Sequence, residues 1–203
     1  MNSSLTSMPR STRLAAAVGG ALVGLFLVAQ PAYAHTGLPT NGLVDGILHP
    51  LEGVDHLLAM VAVGVLAVAA KDRRIAWLTP IGFIAGMLVG GAIGLAGVEI
   101  AHVETVIALS VVVLGIGVVA ITQRAGMWLP VVAATFGSVH GFAHGGEQPA
   151  GSSAGLYVAG FVVVTAGLHL SGTALGLALR RAAVLRVAGG ALVSSAGVAL
   201  LIA

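Results

Sequence analysis

Cysteine is absent from all 203 residues, so disulfides, thiolate metal sites and cysteine nucleophiles are excluded. Charge is nearly as scarce. Asp, Glu, Lys and Arg make up 8% of the chain, and nine basic residues exceed seven acids by only two. A pI near 9.7 therefore carries no basic patch of the kind nucleic acid requires, and no nucleic-acid partner is expected. There is no G-x-x-x-x-G-K-[ST] phosphate loop and no polar stretch large enough for a soluble nucleotide-binding domain, which excludes an energy-coupling ATPase module within the chain.

Apolar sequence fills the space that charge leaves. Hydrophobic residues reach 58% and the mean hydropathy is +1.05, too apolar for a soluble globule. Apolar runs of about 20 residues read as transmembrane helices. The expected fold is all-α, a polytopic membrane protein with about six transmembrane helices after a cleaved signal peptide. Thirty glycines suit such a bundle, because small residues let helix backbones approach closely.

Residues 1–34 have the form of the signal peptide: Arg10 and Arg13, an apolar run from Leu14 to Ala29, then Pro31-Ala32-Tyr33-Ala34 as an A-x-A cleavage site. Cleavage makes His35 the first residue, whose amine and imidazole can together bind a divalent cation. Residues 35–203 then form a single six-helix transmembrane domain, with apolar segments near 47–70, 76–97, 100–122, 127–145, 154–179 and 184–202. Every Lys and Arg after residue 34 falls in three loops: Lys71 to Arg74, Arg124, and Arg180 to Arg186. With the mature N-terminus outside, these are the cytoplasmic loops, as the positive-inside rule requires. The expected location is the bacterial inner membrane, with the lipid bilayer as partner. Three helices per half, opposite in orientation, permit an inverted repeat.

The same topology sorts the ionisable residues. Asp72 alone among the acids lies in a cytoplasmic loop, while Asp45, Glu52, Asp55, Glu99, Glu104 and Glu147 belong to the outer half. An anionic, histidine-rich funnel facing outward concentrates cations. Ionisable groups in membrane segments cost roughly 2.5–3.5 kcal/mol each on insertion scales and mark function when they cluster. The first cluster is His49-Pro50-Leu51-Glu52-Gly53-Val54-Asp55-His56. On a continuous helix His49 and His56 share one face with Glu52 between them, Pro50 sits in the first turn, and Asp55 lies beside the site. The second is His140-Gly141-Phe142-Ala143-His144-Gly145-Gly146-Glu147, whose histidines stand at i, i+4 with Glu147 at i+7. That spacing can hold one metal ion on a helix.

Glu104 is read as deeper than Glu99 and His102, which a solvated outer loop explains equally well. Thr165, His169 and Thr173 form one polar stripe near mid-membrane. Met60, four residues after His56, is a thioether ligand or, the better reading, a core residue. Imidazole with carboxylate suits Ni²⁺, Co²⁺, Zn²⁺ or Cu²⁺ rather than Mg²⁺ or Ca²⁺.

His49-Pro-x-x-Gly53-x-Asp55-His56-x-x-x-Met60, together with Ala34-His35, Glu104, the 140–147 run and Leu168-His169, resembles the HupE/UreJ family of bacterial membrane proteins over essentially the whole chain. The resemblance implies a nickel or cobalt permease that supplies hydrogenases or ureases. No cofactor is bound tightly, and the divalent ion is the transported substrate. By resemblance His49, Asp55 and His56 lead the metal path, followed by His140, His144, Glu147 and His169. Glu52 falls at a variable position of the motif. The rival reading is an intramembrane zinc-dependent hydrolase built on the same His/Asp cluster, with Ser138 and Ser171 as helpers. A metal sensor or storage partner is a third.

Overall fold

In the computed structural model, residues 41–70, 72–120 and 126–203 are described, and among them lie seven helices. They are α1 (Leu43–Glu52), α2 (Val54–Ala69), α3 (Arg73–Leu95), α4 (Val103–Ala120), α5 (Leu129–Gly146), α6 (Ala154–Leu179) and α7 (Ala183–Ile202). The all-α expectation holds. The signal-peptide segment 1–34 and His35 lie outside the described residues, as do Lys71 and Arg124.

Helices α3, α4, α6 and α7 are each long and apolar enough to cross a membrane, and α1 with α2 makes a fifth if the bent pair counts as one span. The sixth expected segment is α5. Its 18 residues rise about 27 Å at 1.5 Å each, but Gly, Thr, Ser and two His dilute its apolarity. Large apolar side chains project from the bundle, among them Val163, Leu170 and Leu192, each about two-thirds exposed. That is the surface a hydrocarbon solvent requires.

The first segment departs from the expected single helix. It breaks at Gly53, whose backbone is extended (φ −88°, ψ 117°), and α1 meets α2 at 86°. Pro50 is therefore not in a first turn; it lies eight residues into α1. Lacking an N–H, it cannot bond the Gly46 carbonyl, and α1 ends two residues later. Glu52 accordingly closes α1, exposed, instead of opening a helix, and Asp55 takes the first turn of α2. His49 and His56 do not share a face of one helix.

Glycine sets how the helices pair. Gly82, Gly86, Gly90 and Gly94 of α3 face Pro130, Ala134, Ser138 and Phe142 of α5. Gly137, Gly141 and Gly145 return the contact onto Phe83, Met87 and Gly91. A Cβ added at Gly90 would fall 1.8 Å from the Ser138 carbonyl oxygen, so nothing larger than hydrogen fits there. The register advances in the same direction on both helices, making α3 and α5 a parallel pair, the most extensive among the described helices. Gly64, Gly172 and Gly176 join α2 to α6, again in parallel, while Gly115, Gly190 and Gly197 join α4 to α7 antiparallel. Counting α1 with α2 as one segment, exchanging segments one, two and three with four, five and six maps this set of pairings onto itself. That is the contact pattern an inverted repeat produces.

The chain's alternation sends Asp55, Glu104 and Glu147 to one end of the bundle and Arg73, Arg74, Arg180, Arg181 and Arg186 to the other. At the arginine end Asp72 caps α3 by accepting the Arg74 N–H at 2.7 Å. Arg186 donates to the carbonyls of Val118 and Val119 at the last turn of α4, the end that favours a cation.

Candidate functional site

The bend at Gly53 brings the two sequence clusters together. His49, from α1, contacts His144 of α5 with ring centroids 4.8 Å apart. His144 contacts His56 of α2 at 4.5 Å, and His56 contacts His140 at 4.8 Å. Four imidazoles thus form one continuous row from α1 into the bundle. At its mouth His49 Nε2 meets Glu147 Oε2 at 2.7 Å, with Glu147 half exposed and His49 largely covered. Further in, His140 and His144 are fully buried.

His56, His140 and His169 each have one nitrogen committed and the other left over. His56 Nδ1 lies 2.7 Å from Asp55 Oδ1, and a carboxylate oxygen only accepts, so Nδ1 carries the proton. The same Oδ1 also accepts the His56 backbone N–H, which fixes the carboxylate at the head of α2. Ser110 of α4 gives its hydroxyl proton to the Ile107 carbonyl and therefore accepts from His140 Nε2 at 2.9 Å. His169 of α6 donates from Nδ1 to the Met60 carbonyl at 2.8 Å. The remaining nitrogens, His56 Nε2, His140 Nδ1 and His169 Nε2, are buried and make no hydrogen bond; neither nitrogen of His144 makes one. A neutral imidazole held this way presents a lone pair, the arrangement that orients histidine toward a metal. Leaving such groups without partners otherwise costs about 1–3 kcal/mol apiece.

Among the described residues no three His, Asp or Glu groups already converge to hold a metal ion. The donors form a row, not a cage.

His169 stands apart from the row. Phe83 lies between, its ring 5.6 Å from His140 on one side and 5.1 Å from His169 on the other, and it is fully buried. Beyond it, a pocket of about 490 Å³ opens at the arginine end, lined by His169, Thr173, Trp77, Pro80, Arg73 and Arg180 among others. The sequence's polar stripe is real: Thr165 and His169 are buried, and Thr173 Oγ1 donates to the His169 carbonyl at 2.8 Å.

The other expected residues sort by depth. Glu104 lies in the first turn of α4 and is exposed, not deep, yet it lies within electrostatic reach of Asp55, Glu147, His56 and His49. Glu99 and His102 are exposed in the α3–α4 connection, as a solvated loop requires. Glu52 is exposed at the end of α1. Ser138 and Ser171 donate to carbonyls of their own helices, Thr135 and Gly167, and so do not act as helpers beside His140 and His169. Ser110, Phe83, Phe161 and Tyr157 belong to the site without having been expected. Phe161 stacks on His144 at 5.3 Å, and Tyr157 packs 6.0 Å from His49. A serine or phenylalanine in an apolar helix carries no pattern of its own, so only the neighbours reveal its role.

Comparison with known proteins agrees with the motifs. No solved structure matches the chain. It is 42% identical over 176 residues to Protein HupE of Rhizobium leguminosarum bv. viciae, covering 84% of this chain and 90% of that protein. The family model described as HupE / UreJ protein matches residues 23–200, nearly the whole length, and the chain belongs to the HupE/UreJ family of membrane proteins.

Proposed function

We propose that the protein is a permease that takes up a divalent transition-metal ion, nickel or cobalt, across the bacterial cytoplasmic membrane to supply a hydrogenase or urease. The observation that carries this reading is the row of four contacting imidazoles running inward from Glu147 and His49, with nitrogens of His56, His140 and His144 left without partners. Imidazole with carboxylate is a donor set for borderline divalent ions, not for Mg²⁺ or Ca²⁺. Conduction needs binding weak enough to release, which several partial sites in series supply better than one closed cage. The absence of a ready three-donor centre among the described residues suits that, and suits a zinc hydrolase poorly.

In this reading the acid-rich end faces outward and the arginine loops face the cytoplasm. Glu147, Glu104 and Asp55 attract the hydrated cation. His49 and His144 exchange its water for nitrogen, and His56 and His140 pass it inward. Asp55 and Ser110 touch no ion in this scheme; they hold the rings in the tautomer that offers a lone pair. Entry runs down the electrochemical gradient, and an inside-negative potential contributes about 2.3 kcal/mol per charge per 100 mV.

Uptake of ⁶³Ni²⁺ by cells carrying the protein, with Co²⁺, Zn²⁺ and Mg²⁺ as competitors, tests it. Saturable uptake displaced by Co²⁺ and indifferent to Mg²⁺ is the expected result. Uptake no greater than in cells without the protein, with the chain present in the membrane, overturns the proposal.

A further inference from the structure

Most hydroxyls on these helices follow one habit; Ser194, which donates to the Val112 carbonyl of α4, and Thr165 depart from it. Thr79, Thr135, Thr173, Ser110, Ser138 and Ser171 each donate to a carbonyl three or four residues back on their own helix. That is the usual solution for a hydroxyl on an apolar helix. Thr165 Oγ1 instead points away from α6, toward two sulfurs: Met60 Sδ of α2 at 3.4 Å and Met87 Sδ of α3 at 3.6 Å. All three residues are fully buried.

Their position matters as much as their chemistry. Met87 is one turn nearer the acid-rich end than Phe83 on α3, level with Gly141 of α5; Met60 is one turn inward of His56 on α2, and Thr165 is one turn outward of His169 on α6. His169 is tied by Nδ1 to the Met60 carbonyl, and its buried Nε2 has no partner. The two thioethers therefore occupy the interval between His56 and His169, beside His140, where no buried carboxylate stands among the described residues. A thioether is a soft, neutral donor that binds soft and borderline cations and ignores hard ones.

We propose that Met60 and Met87, bridged by Thr165, form a thioether site that accepts soft or borderline transition-metal cations between His56 and His169. It deepens the permease reading by assigning selectivity against hard ions to this step. As a metal site it rests on the sulfurs, whether or not nickel is carried. A cation arriving there displaces the Thr165 proton from the sulfur lone pairs and gains His169 Nε2 as the next nitrogen inward.

Ag⁺ is the probe, added to the purified full-length protein in detergent, with bound metal counted by mass spectrometry after desalting. Met60→Leu/Met87→Leu conserves volume and is expected to bind one Ag⁺ fewer per chain than the parent, while His56→Ala keeps that ion. Equal Ag⁺ in the parent and the double variant overturns the site. Selenomethionine-labelled parent protein, whose fold needs no substitution, gives a second readout at the selenium absorption edge. A selenium–silver distance that vanishes in Met60→Leu/Met87→Leu supports the site, and no such distance overturns it. Loss of the ion in a protein that carries no ⁶³Ni²⁺ would overturn the permease reading and leave the thioether site standing.

Discussion

At the residue scale, a histidine is informative because of the bond it has already made. Asp55 and Ser110 commit one nitrogen each of His56 and His140, so removing either partner frees the ring to turn or to change tautomer. Asp55→Asn and Ser110→Ala are each expected to lower ⁶³Ni²⁺ uptake roughly 10–100-fold with the protein still in the membrane, the usual cost of losing the partner that orients a metal-binding imidazole. Glu99→Gln is expected to reduce uptake less than His140→Ala or His144→Ala, because Glu99 is exposed in a connecting loop. Equal loss in all three would contradict the path drawn here. The histidines and acids were legible in the sequence because ionisable groups are rare in apolar segments. Ser110, Phe83 and Met87 were not, since a hydroxyl, a phenyl or a thioether in such a segment is the ordinary content of a helix. Glu104 is shallower than its sequence suggests, because the apolar run from residue 100 starts before the helix does, and α4 begins only at Val103.

At the scale of the element, the informative failure is the first segment. Its length and apolarity read as one continuous span, which α1 and α2 supply only if the bent pair counts as one, and His-Pro-Leu-Glu-Gly can open a helix or close one. The structure has it closing α1, and the 86° turn that follows lets His49 and His56 approach His144 from two directions. Gly53 is the hinge of that arrangement. A Cβ there would lie 2.8 Å from both Asp55 Oδ1 and His56 Nδ1, on the bond that holds the ring. Gly53→Ala is therefore expected to abolish most uptake while leaving the thermal midpoint near that of the parent; normal uptake would contradict the hinge. In the glycine seam of α3 and α5 the balance is reversed. Gly90→Ala drives a methyl into the Ser138 carbonyl and is expected to destabilise the purified protein by about 1–3 kcal/mol, the range for overpacking. Gly155→Ala, where nothing lies within 4 Å, is expected to be neutral in the same thermal unfolding assay.

At the scale of the whole molecule, the distribution of charge was legible from the start, because only nine basic residues exist and those after residue 34 sit in three places. The pairing of helices was not legible. Glycine spacing announces close approach but not the partner, and only the packed bundle shows α3 beside α5 and α2 beside α6. The chain's lack of cysteine makes orientation easy to test. A single cysteine at Ala150 is expected to react with an impermeant maleimide added to intact spheroplasts, and one at Arg181 only after the membrane is permeabilised. The opposite pattern would invert the proposed direction of transport.

All three scales meet in the row of imidazoles, and its function is tested most directly in proteoliposomes containing only this protein, loaded for an inside-negative potential and supplied with ⁶³Ni²⁺. Saturable uptake by the parent chain is expected, slowed when the potential is collapsed and lost in His56→Ala reconstituted at the same density. Uptake by His56→Ala equal to that of the parent would contradict a path through these histidines.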